Sequence, residues 1–156
     1  MIKYLILTIL IIFFIISCNN KNNIKYINKE EVFIKTNCVK NFSFKAKYKK
    51  KYKKILINIK LDKGYHAYSN GEKIGKVIDL KILSKNGWRI VDGPFLPNGY
   101  EKDIGYLGKS IILEGEFSIF AYIEGGEGAI FGNLLMQICT NNNCYTPKSY
   151  KFIIKN

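Results

Sequence analysis

Cys139 and Cys144 stand on either side of Thr140-Asn141-Asn142-Asn143, and Pro147 follows shortly after. They carry the only obvious redox chemistry in the chain. Thiol exchange needs a thiolate, an accessible sulfur and a second thiol that resolves the mixed disulfide, and a close pair supplies the last two together. An apolar run over residues 129–138 enters the pair, and Ser149-Tyr150-Lys151-Phe152-Ile153-Ile154 leaves it with period-two alternation, which predicts strand, tight loop, strand. Such a hairpin brings strand ends to roughly 4.5–5.5 Å, inside the Cα separation a disulfide tolerates. Closing so small a ring removes only about 2 kcal/mol of unfolded-state entropy, against about 5 for a loop of a hundred residues. The pair is therefore a modest staple, and staple and switch both stay open on these grounds.

The other chemistry-bearing residues are few. His66 is the single histidine, and it reads equally as a turn-end residue bonded to backbone or as part of a site. Cys38, between Val39 and the nearby Phe42 on one side and polar sequence on the other, reads as a buried small apolar residue. Cys38, Cys139, Cys144 and His66 are formally a Cys₃His set, but export favours a disulfide and Cys38 has no ligand-like spacing, so no metal and no cofactor is expected. Hydrolytic motifs and phosphate-binding glycine loops are missing from the sequence, and Gly125-Gly126-Glu127-Gly128 reads as a hairpin turn.

At the N-terminus, Lys3 precedes the apolar segment from Tyr4 to Ile16, then Ser17 and Cys18. This has the charged and apolar regions of an export signal and is too short for a span, which needs about 20 apolar residues. Ile15-Ile16-Ser17-Cys18 resembles a relaxed bacterial lipobox, with Ile15 where leucine is usual. Residues 1–17 are then a signal peptide, residues 18–30 a lipidated polar tether beginning at Cys18, and residues 31–156 one domain. The expected location is the cell envelope, as an exported lipoprotein facing the periplasm and held to the membrane by its lipid anchor.

The chain of 156 residues has a formal charge of +13, which raises the question of nucleic acid, and the tract from Lys45 to Lys54 is the strongest run. Lys, Asn and Ile are abundant throughout, however, and exported proteins seldom meet nucleic acid. The tract also joins two alternating segments, so it is expected to be the solvated end of a hairpin, with no nucleic-acid partner.

The elements that must position the cysteines read as strands over residues 32–36, 41–48, 54–61, 77–83, 88–91, 109–113, 116–124, 129–139 and 150–155. Turn signals such as Asn70-Gly71, Asn86-Gly87 and Asp92-Gly93-Pro94 separate them. No helical period interrupts the series. The predicted fold is all-β, an antiparallel sandwich of immunoglobulin-like type preceded by the lipoprotein signal segment.

From about Val32 onward the chain resembles the N-terminal periplasmic domain of the DsbD thiol:disulfide interchange proteins. Gly64-Tyr65-His66-Ala67-Tyr68-Ser69 looks like that family's aromatic strand, Tyr106-Leu107-Gly108-Lys109-Ser110 is similar to its cap loop, and Cys139 through Pro147 matches its Cys-x4/5-Cys-x-x-Pro hairpin. The cap loop departs from the family in that Ile104-Gly105 occupy positions often acidic, with Glu101 and Asp103 slightly upstream. The resemblance implies an immunoglobulin-like fold and a redox-active pair in which Cys144 forms mixed disulfides and Cys139 resolves them. It implies that Tyr106 and Leu107 act as cap and that Tyr68 and His66 line the same pocket. It further implies a protein-disulfide reductase type of activity. Electrons would come from a thioredoxin-like or membrane electron-carrier protein and pass to an oxidised protein or a disulfide isomerase. Full-length family members continue into membrane and thioredoxin-like domains, so the expectation is the partner-facing module standing alone as a lipoprotein. The alternative is a non-catalytic immunoglobulin-like lipoprotein binding module whose disulfide is structural.

Overall fold

A computed structural model describes residues 23–28, 31–35, 42–105 and 108–155, with side chains from residue 42 onward. The signal segment, Cys18, Cys38, Tyr106 and Leu107 lie outside the described residues.

Alternation of apolar and polar side chains builds two facing sheets. In β3 (Phe42–Lys49) and β4 (Lys54–Leu61), Phe42, Phe44, Ala46 and Tyr48 point inward with Ile55, Ile57, Ile59 and Leu61, while the intervening residues point out. They belong to a six-stranded sheet in the order β1 (Asn23–Asn28), β2 (Glu31–Lys35), β3, β4, β10 (Glu116–Glu124), β7 (Arg89–Phe95). The opposing sheet runs β12 (Lys148–Ile154), β11 (Ile130–Met136), β6 (Asp79–Leu83). Its inward residues, Leu80, Ile130, Leu134, Met136, Tyr150, Phe152 and Ile154, complete the main core. Phe42 meets Tyr150 edge-on at 4.8 Å between centroids, and Phe44 meets Phe152 at 6.3 Å. These two antiparallel sheets form an immunoglobulin-like β-sandwich.

A third sheet carries the site: β5 (His66–Tyr68), β9 (Lys109–Glu114), β8 (Tyr100–Asp103). Its two faces are both used. Ala67 and Leu113 join the main core, whereas Tyr68 and Ile112 on the other face form a second, smaller core with Ile104 and Cys139.

Several elements differ from the sequence expectation. Asn23–Asn28, read within the tether, is strand β1 paired with β2. The strand expected to stop at Val91 runs on to Phe95 through the Asp92-Gly93-Pro94 turn signal. It lies at a sheet edge, where a proline's missing N–H is tolerated, and its register against β10 shifts between Phe120 and Tyr122. Residues 125–128 are not a hairpin turn, because β10 and β11 lie in different sheets. A Cβ on Gly126 would meet the Trp88 ring at 2.4 Å, so glycine there makes room for the indole. The lysine tract is, as expected, a hairpin end: β3 and β4 join through the 3-10 turn Lys50–Tyr52.

Candidate functional site

The connection carrying the cysteines is longer than a tight loop. Pairing of β11 with β12 ends at Met136 and Lys148, leaving residues 137–147 outside the ladder. Cys139 instead bridges to β5: its N–H donates to the His66 carbonyl and the His66 N–H to its own carbonyl, each at 2.9 Å. Within the loop, the Tyr145 N–H donates to the Ile138 carbonyl at 3.0 Å and the Thr140 N–H to the Asn143 carbonyl at 2.7 Å. The Gln137 amide pins the loop from outside, accepting from the Lys76 N–H at 2.7 Å and donating to the Tyr145 carbonyl at 3.2 Å.

So held, Cys139 and Cys144 form a disulfide with Cα atoms 4.1 Å apart. The two sulfur-bearing residues differ in access: Cys139 is fully buried, while Cys144 is only partly so. The Tyr68 hydroxyl lies 3.3 Å from Cys144 Sγ. A disulfide sulfur carries no proton, so the phenol is the donor.

Tyr68 is placed by residues the sequence reading did not single out. Its ring packs against Gly75, where a Cβ would come within 2.0 Å of Tyr68 Cε2. Glycine here serves close approach. The turn bearing Gly75 is organised by Glu72, whose carboxylate accepts from the backbone N–H groups of Ile74 at 2.7 Å, Gly75 at 3.4 Å and Ile111 at 2.6 Å. Burial alone would raise the Glu72 pKa, but these backbone donors outweigh it and hold the carboxyl below its usual value. No sequence motif marks Glu72: two of its partners lie in its own turn, and the third, Ile111, lies on β9.

His66 and Tyr68 share one face of β5, with ring centroids 5.5 Å apart, edge to face. Across the sheet that face continues through Glu114 and Ile112 on β9 to Tyr100 and Lys102 on β8. Glu114 accepts hydrogen bonds from the Tyr100 hydroxyl and from Lys102 Nζ, the latter at 2.7 Å. The bond to Glu114, aided by burial, pushes the Tyr100 phenol up to about 12. His66 is wholly buried, and desolvation chiefly lowers its pKa, with Glu114 and Glu72 raising it in part and Lys102 lowering it further.

The segment expected to form the cap lies between Gly105 and Gly108, whose φ of +71° and +74° favours glycine. Asp103 accepts from the Gly105 N–H at 2.9 Å, and Glu101 pairs with Lys109 at 2.8 Å. Both carboxylates are thus engaged in holding the loop and β8–β9. Ile104, at the start of the segment, packs with Tyr68, Ile112 and Cys139. Among the described residues no group of three or more His, Cys, Asp or Glu is arranged to hold a metal ion.

An immunoglobulin-like sandwich with a partly exposed disulfide, backed by a buried tyrosine and histidine, defines a class of redox domain. The chain belongs to the family described as "Thiol:disulfide interchange protein DsbD, N-terminal", which matches residues 33–155. It is a thiol-disulfide interchange domain of that family. Among solved structures it is similar to the N-terminal periplasmic domain of ScsB from Proteus mirabilis, with TM-score 0.62 and 15% identity, over 79% of this chain and 49% of that one. It thus spans about half the length of that structure. It is also similar to the N-terminal domain of Neisseria meningitidis DsbD in the reduced form, with TM-score 0.52 and 19% identity over 67% of this chain and 78% of that one. A third likeness is to the complex between the DsbD N-terminal and PilB N-terminal domains from Neisseria meningitidis, with TM-score 0.53 and 18% identity over 72% of this chain and 81% of that one. At such identities the likeness is one of fold. No curated protein matches the chain at a significant level.

Proposed function

We propose that the protein passes electrons between partner proteins through the Cys139/Cys144 pair by a mixed-disulfide mechanism. The observation that carries this is the asymmetry of the pair: Cys144 is partly exposed with a phenol hydroxyl 3.3 Å from its sulfur, and Cys139 is buried behind it. In the reduced state Cys144 is the sulfur a partner reaches, and a donated hydrogen bond favours its thiolate. Attack by Cys144 on a partner disulfide forms the mixed disulfide and releases one partner thiolate. Attack by Cys139 on Cys144 Sγ then closes the intramolecular bond and releases the second. Run backwards, the same steps take electrons from a dithiol partner.

The partners of this reading are a thioredoxin-like or membrane electron-carrier protein as donor and an oxidised protein or disulfide isomerase as acceptor. The complex of a DsbD N-terminal domain with a PilB N-terminal domain supports docking of a second domain on this fold. Tyr106 and Leu107, between Gly105 and Gly108, serve as the cap that shields the sulfurs until a partner docks. The protein acts in the periplasm, anchored through a lipidated Cys18; among the described residues no helix is long and apolar enough to cross a membrane.

Trapping tests the proposal. Cys139→Ser, expressed in the native envelope, accumulates mixed disulfides with partner proteins on non-reducing gels, and Cys144→Ser accumulates none. Capture by neither variant, together with resistance of the wild-type disulfide to thioredoxin-like reductants, refutes it.

A further inference from the structure

His66, the single histidine of the chain, is fully buried, and among the described residues neither ring nitrogen has a hydrogen-bond partner. A neutral imidazole carries one donor and one acceptor, and each left unmet in a core bears its full desolvation penalty. An unsatisfied polar group in a folded core calls for a reason, and a redox or catalytic role is one.

The backbone supplies the location. His66 and Cys139 exchange both N–H···O bonds across an antiparallel bridge, which sets their side chains on one face with Cβ atoms roughly 5 Å apart. The His66 ring packs edge-to-face on Tyr68, whose hydroxyl reaches Cys144 Sγ. The imidazole therefore stands in the same layer as both sulfurs. While the disulfide is closed, Cys139 Sγ has neither a proton nor a charge to offer it. Reduction turns that sulfur into a thiol donor or a thiolate acceptor on the same face as the unmet nitrogens.

We propose that His66 is the proton acceptor for Cys139, taking the thiol proton as Cys139 attacks the mixed disulfide at Cys144. This rests on the exchange reading above and adds the proton's route to it. The Cys139 S–H bond gives its proton to a ring nitrogen, and the sulfur's electron pair forms the bond to Cys144 Sγ. The bond from Cys144 to the partner sulfur breaks, its pair leaving on the partner as thiolate. The imidazolium then returns its proton, directly or through solvent, to that thiolate. Over both steps the domain's dithiol loses two electrons and two protons, and the partner's disulfide gains them. The groups facing the ring are Glu114 on β9, Lys102 on β8, Glu72 in the turn that follows β5 and Tyr68 on its own strand. Burial dominates among them and keeps the ring neutral, hence able to accept, at physiological pH.

The test follows single turnovers of reduced protein with oxidised glutathione, quenched in acid and resolved by mass spectrometry from pH 6.5 to 8.0. In the wild type, the glutathione adduct at Cys144 resolves at a rate that varies by less than about threefold across this range, because its acceptor is already neutral. In His66→Gln the rate follows the thiolate fraction of Cys139 itself, rising about tenfold per pH unit, and the adduct accumulates at pH 6.5. His66→Phe, which fills the space with an apolar ring, gives the same steep profile. A flat profile in both variants overturns the proposal. A measurement on wild type alone guards against variants that fail to fold: the one imidazole resonance is titrated by proton NMR in the oxidised and reduced forms. Its midpoint rises on reduction, and an unchanged midpoint overturns the proposal. Failure of wild type to form any glutathione adduct counts against the exchange chemistry, while the NMR titration still decides whether His66 senses Cys139.

Discussion

Replacing Tyr68 by phenylalanine removes the hydroxyl that lies beside the Cys144 sulfur. The ring is 1% exposed and seated on Gly75, so the substituted ring keeps the packing and loses only the hydroxyl that lies 3.3 Å from Cys144 Sγ. In the reduced state that hydroxyl faces a thiolate, and a hydrogen bond to a charged group contributes about 1.5–3 kcal/mol. One pKa unit corresponds to about 1.4 kcal/mol, so Tyr68→Phe raises the Cys144 thiol pKa by roughly one to two units. Wherever the pH lies below that pKa, the thiolate fraction falls about ten- to a hundredfold. The assay uses a Cys139→Ser background, which leaves Cys144 alone at the site, and reads thiolate absorbance at about 240 nm and iodoacetamide alkylation against pH. A midpoint displaced by less than about 0.3 unit refutes the claim that the phenol tunes this sulfur. Chemical denaturation runs alongside, and a loss much beyond about 1 kcal/mol shows that the ring did not keep its place.

Two further perturbations reach the same site from its supports. Gly75→Ala drives a methyl to within 2.0 Å of the Tyr68 ring, so it destabilises the fold by about 1–3 kcal/mol and slows alkylation of Cys144 much as Tyr68→Phe does. Normal alkylation in a folded Gly75→Ala protein contradicts the seating described here. Glu72→Gln bears on acid stability. Because the folded-state pKa of Glu72 lies below its unfolded value of 4.5, its contribution is complete above that pH and is lost as pH falls through the folded value. The wild-type Tm therefore drops more steeply below pH 4.5 than that of Glu72→Gln, and parallel Tm curves disprove the linkage.

The long alternating segments were legible because their period is local. Phe42 to Tyr48, Ile55 to Leu61 and Phe117 to Ile123 announce inward and outward faces without reference to anything else in the chain. The short strands of the third sheet were not. His66–Tyr68 was recognisable only through family resemblance, and Tyr100–Asp103, with alternating polar residues, carries no apolar period at all. The extension of β7 through Gly93-Pro94 likewise depends on its lying at an edge, a property of the assembled sheet. Glu72 and Gly75 were missed because what distinguishes them, a bond to the Ile111 N–H on β9 and close approach to the Tyr68 ring, exists only in the folded chain.

The sequence alone determined that a close cysteine pair follows an apolar strand, that the domain is all-β, and that the pair belongs to a DsbD-like motif. Spacing and periodicity are short-range properties, and the first two conclusions need nothing longer; the third rests on the family resemblance of three segments between Gly64 and Pro147. Only the tertiary structure decided which cysteine is buried and which is partly exposed. That asymmetry arises where the loop leaves the β11–β12 ladder and Cys139 pairs instead with His66. A backbone donor and acceptor freed from one strand must find partners elsewhere, and here they find them on β5, which sets one sulfur against the second core and leaves the other beside Tyr68.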